Sequence, residues 1–464
     1  MRAVVAMSLT SSYTNAEDYF KAAVDFLCSY SWIYLEVNTS CLRSIDSMPQ
    51  DFKDYFLEIS KENLDVFPLI HEELHISIPS LEEFRKKLAS LTPASVALEA
   101  IRPTPRPKVN HQRKMSPKKL HEIQQLATHI NSHCQDTQLL VDLGSGLGYL
   151  TEALYELKPS LMILGLEADE SRVQAARKRC KELLPAAASK SISYQSSYVS
   201  AKSRAYIEDC SMELARSNGC LSLSKMSIIG LHACADLSIV GMQLFLSMPL
   251  VQSIHIMPCC YHKLALRNLN DDSVFENFPL SAVLSKVVAA QSKPVHFNRP
   301  FLRLACQQTS ARWRYNRSPG DGYHMFARAL AEAICDVGES IKCKKPPTPI
   351  SNQGQITFSD LQRRYQLTSK VTGQNLEWLP SHESKFMEMT ENYSNNKGPC
   401  LAEALTCLQT SIQKLCENVV LFDRLCYLEE EAAARNLPVR TKYEQLVDEK
   451  LSPRCHVLIA EKLS

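Results

Sequence analysis

The sequence contains no apolar run close to the ~18–20 residues that a membrane-spanning helix requires, so we expect no membrane contact. Its N-terminal apolar stretch is short and broken, which argues against a signal peptide. An excess of one charge is also lacking, because 52 Lys and Arg residues nearly balance 50 Asp and Glu residues, giving a net charge of +2. This balance excludes a uniformly basic nucleic-acid-binding protein, and any electrostatic contact with a partner must be local.

The cysteines lack a regular spacing. Their number is odd, at 17, and no C-x-x-C pair occurs. A secreted disulfide scaffold would be shorter and would space its cysteines more evenly. We therefore expect reduced thiols, no bound metal, and a cytoplasmic or nuclear location.

The chain has 464 residues, which is enough for about three domains of roughly 150 residues each. Apolar and charged residues occur at ordinary globular levels, 45% and 22%. Periodicity and composition divide the chain into five predicted regions: an N-terminal helical region (1–100), a basic Pro-rich linker (101–115), an α/β core (116–270), an inserted, mainly helical lobe (271–400) and a C-terminal helix with two terminal strands that return to the core sheet (401–464).

Within the core, short buried strands alternate with helices of about 10–15 residues, which is typical of a doubly wound parallel sheet. The strongest motif is VDLGSGLGYL, in which a strand ends at Asp142 and Leu143 and a helix begins after Gly148. No Lys follows Gly148, so the turn is not a phosphate-binding P-loop. Its G-x-G-x-G spacing also differs from the G-x-G-x-x-G of dinucleotide folds.

This turn resembles the first motif of class I S-adenosylmethionine-dependent methyltransferases. The next strand ends at Glu167, 25 residues after Asp142, where an acid can accept hydrogen bonds from both ribose hydroxyls. Asp169 competes for that role, but we interpret it as the N-cap of the following helix. The expected cofactor is S-adenosylmethionine, and the candidate cofactor-binding residues are Asp142, Gly144, Ser145, Gly146, Gly148, Glu167 and His232.

Two further loops carry titratable side chains at the same predicted sheet edge. His232, Cys234 and Asp236 follow the fourth strand, and Cys259, Cys260, Tyr261 and His262 follow the fifth. His232 is the candidate general base, Asp236 is a candidate to orient it or to bind the cofactor, and Tyr261 is a candidate to stack on a planar acceptor. Cys259 completes the candidate catalytic set. A zinc site built from these cysteines is disfavoured, because adjacent cysteines fit tetrahedral ligation poorly.

Together, VDLGSGLGYL, LHACADLS, MPCCYHKL, SPKKLHE, FLRLACQ and SPRCHVLIAEK resemble the methyltransferase-like protein 25 family. Its relatives include proteins named ribosomal RNA adenine dimethylase domain-containing protein. The resemblance implies a Rossmann-like, seven-stranded class I sheet and methyl transfer from S-adenosylmethionine. The family has Gly where this chain has Ala235, and a Cβ is tolerated there only if the backbone does not need a positive φ.

The acceptor remains open among several classes. RNA is favoured, since the fourth- and fifth-strand loops resemble those of eukaryotic tRNA ribose methyltransferases. A basic and aromatic patch would suit a nucleic-acid strand: Arg299, Arg303, Arg312, Trp313, Arg314, Tyr315 and Arg317. A solvated face over a packed Trp313 explains the same residues equally well. The alternatives are a protein substrate, which the balanced charge suits, and a non-catalytic scaffold. Cys234 and Cys259 also resemble the paired cysteines of RNA cytosine-C5 methyltransferases, although packing explains them better.

Overall fold

The computed structural model describes residues 13–93, 115–268, 271, 273–317, 320–344, 355–391, 393 and 397–463. The predicted basic linker lies outside these residues, apart from Met115. Among the described residues, no helix has both the length and the apolar character needed to cross a membrane. Contacts divide the chain into two compact units. The core unit comprises Met1–Val24, Leu91–Gln307 and Leu415–Ser464, and the second unit comprises Asp25–Ser90 and Gln308–Lys414.

The helices are α1 (Ala16–Ser29), α2 (Leu42–Asp46), α3 (Gln50–Glu58), α4 (Lys61–Val66), α5 (Pro79–Leu91), α6 (Pro117–His133), α7 (Tyr149–Leu157), α8 (Glu170–Leu183), α9 (Ala188–Ser191), α10 (Arg204–Ser217), α11 (Leu237–Ser247), α12 (Ala282–Ala289), α13 (Arg299–Leu304), α14 (Ser310–Asn316), α15 (Asp321–Ala333), α16 (Phe358–Arg364), α17 (Pro380–Glu391) and α18 (Lys397–Ala434). The strands are β1 (Leu139–Leu143), β2 (Met162–Glu167), β3 (Ile192–Ser196), β4 (Met226–Cys234), β5 (Val251–Cys259), β6 (Glu339–Cys343), β7 (Tyr365–Ser369), β8 (Asn375–Leu376), β9 (Val439–Gln445) and β10 (His456–Lys462).

The core unit is built on a seven-stranded sheet in the order β3-β2-β1-β4-β5-β10-β9. The first five strands run parallel, while β10 runs antiparallel to both β5 and β9. This order, with a single reversed strand near one edge, is the class I methyltransferase arrangement, and it confirms the predicted fold class. It also confirms that the last two strands return to the core sheet.

Local sequence explains where the helices beside the sheet begin. Ser116 caps α6 by accepting a hydrogen bond from the backbone N–H of Lys119, and Pro117 occupies the first turn. Asp169 caps α8 by accepting from the N–H of Ser171, as predicted. Strands β1 and β2 are buried along their whole length, as is usual for parallel strands with helices on both faces of the sheet. The crevice at their carboxyl ends is therefore framed by rigid elements.

The second unit differs from the predicted division of the chain. It joins residues 25–90 of the predicted N-terminal region to residues 308–414, which include most of the predicted lobe. Long-range polar contacts hold these segments together: the indole N–H of Trp313 donates to the Leu64 carbonyl, and Arg317 pairs with Asp65 and Glu403. The lobe also contains a three-stranded antiparallel sheet, β6-β7-β8, which the sequence patterns did not predict.

Candidate active site

The glycine loop between β1 and α7 turns through three left-handed residues, with φ of +71° at Gly144, +58° at Gly146 and +79° at Gly148. At Gly148 an added Cβ would collide with the hydroxyl of Tyr194, so that position needs glycine for packing as well. At Gly146 the nearest atom to an added Cβ is the Gly144 carbonyl oxygen, 3.9 Å away. Open space therefore lies against the backbone at Gly146, where a ligand can approach the chain closely.

Glu167 closes this loop from β2. Its Oε2 accepts the backbone N–H of Gly146 at 3.0 Å, and its Oε1 accepts the N–H of Asp169 at 3.1 Å. Arg172 Nη1 lies 4.0 Å from Oε1. Each carboxylate oxygen has two acceptor sites, so Glu167 is fixed in orientation and keeps capacity for two further donors, such as a pair of ribose hydroxyls. These residues therefore fit S-adenosylmethionine, the cofactor of this fold class.

Two other predicted cofactor residues lie deeper. Asp142 is buried at 1% exposure and accepts a hydrogen bond from Thr151 Oγ1 at 3.2 Å. Burial raises the pKa of Asp142 to about 7, and the nearby Glu167 carboxylate adds to the shift. Ser145 donates its N–H to the Leu166 carbonyl, and its Oγ is buried without a hydrogen-bond partner among the described residues. Both residues therefore support the conformation of the loop through internal contacts.

His232 follows β4 with φ of +62°, a conformation that is rare for residues other than glycine. Its Nε2 lies 3.1 Å from Oε2 of Glu122, a buried residue of α6. Burial disfavours the charged form of Glu122, but hydrogen bonds from His232 and Ser452 outweigh this effect and lower its pKa. The ionised carboxylate can only accept, so in the neutral ring Nε2 carries the proton and Nδ1 holds the lone pair. Nδ1 is buried and has no partner in the described chain.

Glu122 is the functional residue that sequence reasoning missed. It lies 110 positions before His232, and no local spacing links the two. The partner considered for His232, Asp236, lies elsewhere: it accepts the Ala265 N–H at 2.9 Å and the Asn277 side-chain amide at 2.7 Å. Asp236 therefore anchors the segment after β5.

The predicted stacking role of Tyr261 is wrong for this structure, because the ring is 1% exposed and Arg424 lies 5.0 Å from its centroid. Ala235 adopts φ of +51°, so this position does require the left-handed backbone for which glycine is suited. The Cβ at Ala235 therefore strains the loop after β4.

The cysteines of the two loops converge. Cys234 and Cys259 are paired in the β4–β5 register, with their sulfurs 2.9 Å apart. Hydrogen bonds from Cys234 and Cys259 lower the pKa of Cys260, because a thiolate accepts from both thiols. Cys259 is 1% exposed, which leaves no access for a substrate at its sulfur.

The predicted basic and aromatic patch is not a free cationic surface. Trp313 is 3% exposed. Arg314 pairs with Glu72, and Arg317 with Asp65 and Glu403. In the core unit, Arg299 donates to the His262 carbonyl. The packed alternative therefore describes these residues better than a nucleic-acid surface does.

Comparison with known proteins agrees with the geometry. A family model described as a methyltransferase domain matches residues 118–267. "Probable methyltransferase-like protein 25" of Homo sapiens is 28% identical over 247 residues, covering 51% of this chain and 36% of that protein. The Mus musculus protein of the same name is 26% identical over 244 residues, covering 51% and 37%. The chain thus matches about a third of the length of these curated relatives.

Two solved structures are also similar in part. One is the methyltransferase domain of bacterial CtHen1-CN, at 18% identity and a TM-score of 0.22, covering 33% of this chain and 75% of that one. The other is the plantazolicin methyltransferase BpumL in complex with SAH, at 10% identity and a TM-score of 0.22, covering 89% and 96%. Strand order, glycine loop and family match together place a methyltransferase domain of the class I fold in this chain, similar to part of methyltransferase-like protein 25.

Proposed function

We propose that this chain transfers a methyl group from S-adenosylmethionine to RNA. The observation that carries the proposal is the open backbone at Gly146, facing a carboxylate that the loop itself holds in place. Gly144, Gly146 and Gly148 would hold the cofactor against the main chain, and Glu167 would accept from its ribose. When bound, the cofactor supplies the methyl group on an electrophilic sulfonium.

The protein's own task in such a reaction is to position the acceptor and remove its proton. His232 is suited to the second task, because Glu122 fixes the ring and leaves the Nδ1 lone pair free. Nδ1 is buried in this structure, so the loop after β4 would have to move as the acceptor binds. The acceptor oxygen or nitrogen would then lose its proton to Nδ1 as the methyl group leaves the sulfonium sulfur and bonds to the acceptor. Glu122 stabilises the resulting imidazolium, as a carboxylate does behind other catalytic histidines.

RNA as the acceptor rests on sequence. Between Arg102 and Lys119 the chain carries seven Lys or Arg residues and no acid, directly before and within the start of α6. Such a segment can neutralise several backbone phosphates. The loops after β4 and β5 also resemble those of tRNA ribose methyltransferases, as described above.

A protein acceptor is the second candidate. Arg314 and Arg317 pair with acids of the same unit, and the net charge of the chain is only +2. Both features suit a partner that is recognised by shape rather than by phosphate charge.

The test is to incubate the purified chain and tritiated S-adenosylmethionine with a cell extract, and then to digest the product. Label released by RNase and resistant to protease supports RNA, and labelling that falls steeply with added salt strengthens that result. Label released by protease alone would assign the protein acceptor instead. A His232→Ala variant controls for labelling by enzymes of the extract.

A further inference from the structure

The proposed function assigns the cysteine cluster no role in cofactor binding or proton transfer. Cys234, Cys259 and Cys260 bring their sulfur atoms within 4.8 Å of one another. In a tetrahedral zinc site, with zinc–sulfur bonds of about 2.3 Å, the sulfurs lie about 3.8 Å apart. The cluster therefore needs sulfur shifts of only about an ångström to surround one ion.

The backbone conformation at Cys260 allows two adjacent cysteines to share one ion. In an extended strand, neighbouring side chains point to opposite faces. Cys260 instead adopts φ of +52° immediately after β5, and this turn brings its sulfur to the same side as that of Cys259. A non-glycine residue held in this conformation costs free energy and is commonly found at functional sites.

A positive charge lies beside the cluster. Arg454 lies close enough to Cys234, Cys259, Cys260 and Cys306 to interact with each electrostatically. Its Nε is buried and has no hydrogen-bond partner among the described residues. The Cys260 thiolate offers this guanidinium one negative charge, and neutral thiols at Cys234 and Cys259 offer none. A zinc ion held by three thiolates and one neutral imidazole carries one negative charge, which the Arg454 guanidinium would balance.

The fourth donor would be His262, which lies outside the group of three sulfurs in this structure and would have to turn toward it. It lies on the short turn Tyr261–Lys263 directly after Cys260, close enough for their charges to interact. Its Nδ1 lies 3.6 Å from the sulfur of Cys306. That second contact can hold the ring in orientation, as the outer partners of metal-binding histidines do.

We propose that Cys234, Cys259, Cys260 and His262 form a zinc site that fastens the loop after β4 to the loop after β5. Zinc binding forms three zinc–sulfur bonds and one zinc–nitrogen bond, and it displaces to solvent the protons that the thiols still carry. Because protein side chains would fill all four coordination positions of the ion, the site would be structural. It would fix His232 and Asp236, which lie on the same pair of loops.

The second group of metal-type side chains, Asp336, Glu339 and His382, does not make such a site. The Nδ1 of His382 accepts the N–H of Leu379, so its Nε2 carries the proton that it shares with Glu339. No lone pair remains on this histidine for an ion. This contrast leaves the cysteine cluster as the metal candidate.

The test is the zinc content of the purified full chain, measured by mass spectrometry of the metal. We expect about one zinc per chain, lost in Cys259→Ser and kept in Cys343→Ser, whose thiol is exposed on β6 of the second unit. Metal-free protein with reduced thiols, or zinc that persists in Cys259→Ser, would overturn the proposal. A Cys234–Cys259 disulfide in protein purified under reducing conditions would overturn it as well.

A second measurement covers the case in which Cys259→Ser does not fold. Wild-type chain stripped of metal by a chelator is titrated with cobalt(II). The site predicts visible absorption of tetrahedral cobalt together with the intense near-ultraviolet band of thiolate ligands. In His262→Ala we expect weaker cobalt binding, by at least about tenfold, with the thiolate band retained. An octahedral spectrum without the thiolate band would contradict the site, and unchanged affinity in His262→Ala would remove His262 from it.

Discussion

The two halves of the crevice reach the left-handed backbone conformation by opposite means. After β1, the chain uses Gly144, Gly146 and Gly148, which adopt positive φ without steric cost. After β4 and β5, it uses His232, Ala235 and Cys260, which are strained in the same conformation. The glycine half presents bare backbone, as a bound cofactor needs. The strained half presents imidazole and thiol groups, as chemistry and ligation need.

The largest effect that tests this contrast is expected in the glycine half. In Gly146→Arg the side chain would fill the open space at the loop and force a non-glycine residue to φ of +58°. We expect binding of tritiated S-adenosylmethionine in equilibrium dialysis to fall by more than about 100-fold, since no other loop replaces this surface.

The matched control for Gly146→Arg is Gly219→Arg. Gly219 also has a positive φ of +72° with nothing near an added Cβ, but it precedes β4, at the opposite edge of the sheet. Its variant should bind the cofactor normally. Equal loss of binding in both variants would mean that strain, and not occupation of the crevice, is responsible.

The next effect concerns the strained half. His232→Ala removes the proposed base, so we expect the transfer of tritiated methyl groups to the RNA of a cell extract to fall about 10²–10⁴-fold. Glu122→Gln keeps the shape but loses the negative charge behind the ring, and it should lower transfer by about tenfold. Cofactor affinity should change little in either variant. A loss of affinity that matches the loss of transfer would place His232 in cofactor binding instead.

A smaller effect tests the role of Asp142, the buried acid next to the glycine loop. Burial raises the pKa of Asp142 to about 7 from its ordinary 3.8, so the folded chain holds a proton that the unfolded chain releases between these values. The stability from this group is complete below about pH 4 and is lost as pH rises through 7, on the order of 4 kcal/mol. Asp142→Asn should abolish the part of this loss that falls between pH 5.5 and pH 8, which thermal unfolding at the two pH values measures.

The same carboxyl should make cofactor binding pH-dependent with the opposite sign. A cationic sulfonium is favoured by ionised Asp142, so affinity should rise roughly tenfold as the pH passes through 7. Asp142→Asn serves as the control, because any pH dependence that it retains comes from the cofactor. An affinity that falls with pH in the wild type and not in the variant would contradict the assignment.

The smallest effect is a gain in stability. Ala235→Gly relieves a Cβ held at φ of +51°, and we expect the free energy of unfolding to rise by about 0.5–1 kcal/mol in urea titrations. Ala233→Gly is the control, because Ala233 is buried in β4 and its loss should lower stability by a similar amount. Destabilisation in both variants would show that Ala235 is not strained.

Much of the fold could be predicted because its signals are local. The alternation of apolar strands and helices gave β1 to β5, and capping chemistry placed the starts of α6 and α8 at Ser116 and Asp169. The glycine loop and Glu167 could be read from spacing, since the two strands that carry them are neighbours in the sheet. Strands β6 and β7 were missed because their sequences, ESIKC and YQLTS, contain too few apolar residues to mark a strand, and β8 has only two residues.

What could not be predicted depends on contacts between distant residues. The pairing of His232 with Glu122 spans 110 positions, and the burial of Tyr261 depends on Arg424 from α18. The convergence of Cys259 and Cys260 depends on one dihedral angle at Cys260, which no composition or periodicity reveals. Side-chain chemistry was thus visible in the sequence, while the partners that give it a role were not.

The central claim is that the glycine loop and Glu167 hold S-adenosylmethionine. Isothermal titration of the purified chain with this cofactor tests the claim most directly. The account predicts saturable heat with one site per chain at micromolar ligand, abolished in Gly146→Arg. Absence of heat at millimolar ligand, from a chain whose thermal unfolding shows it to be folded, would contradict it.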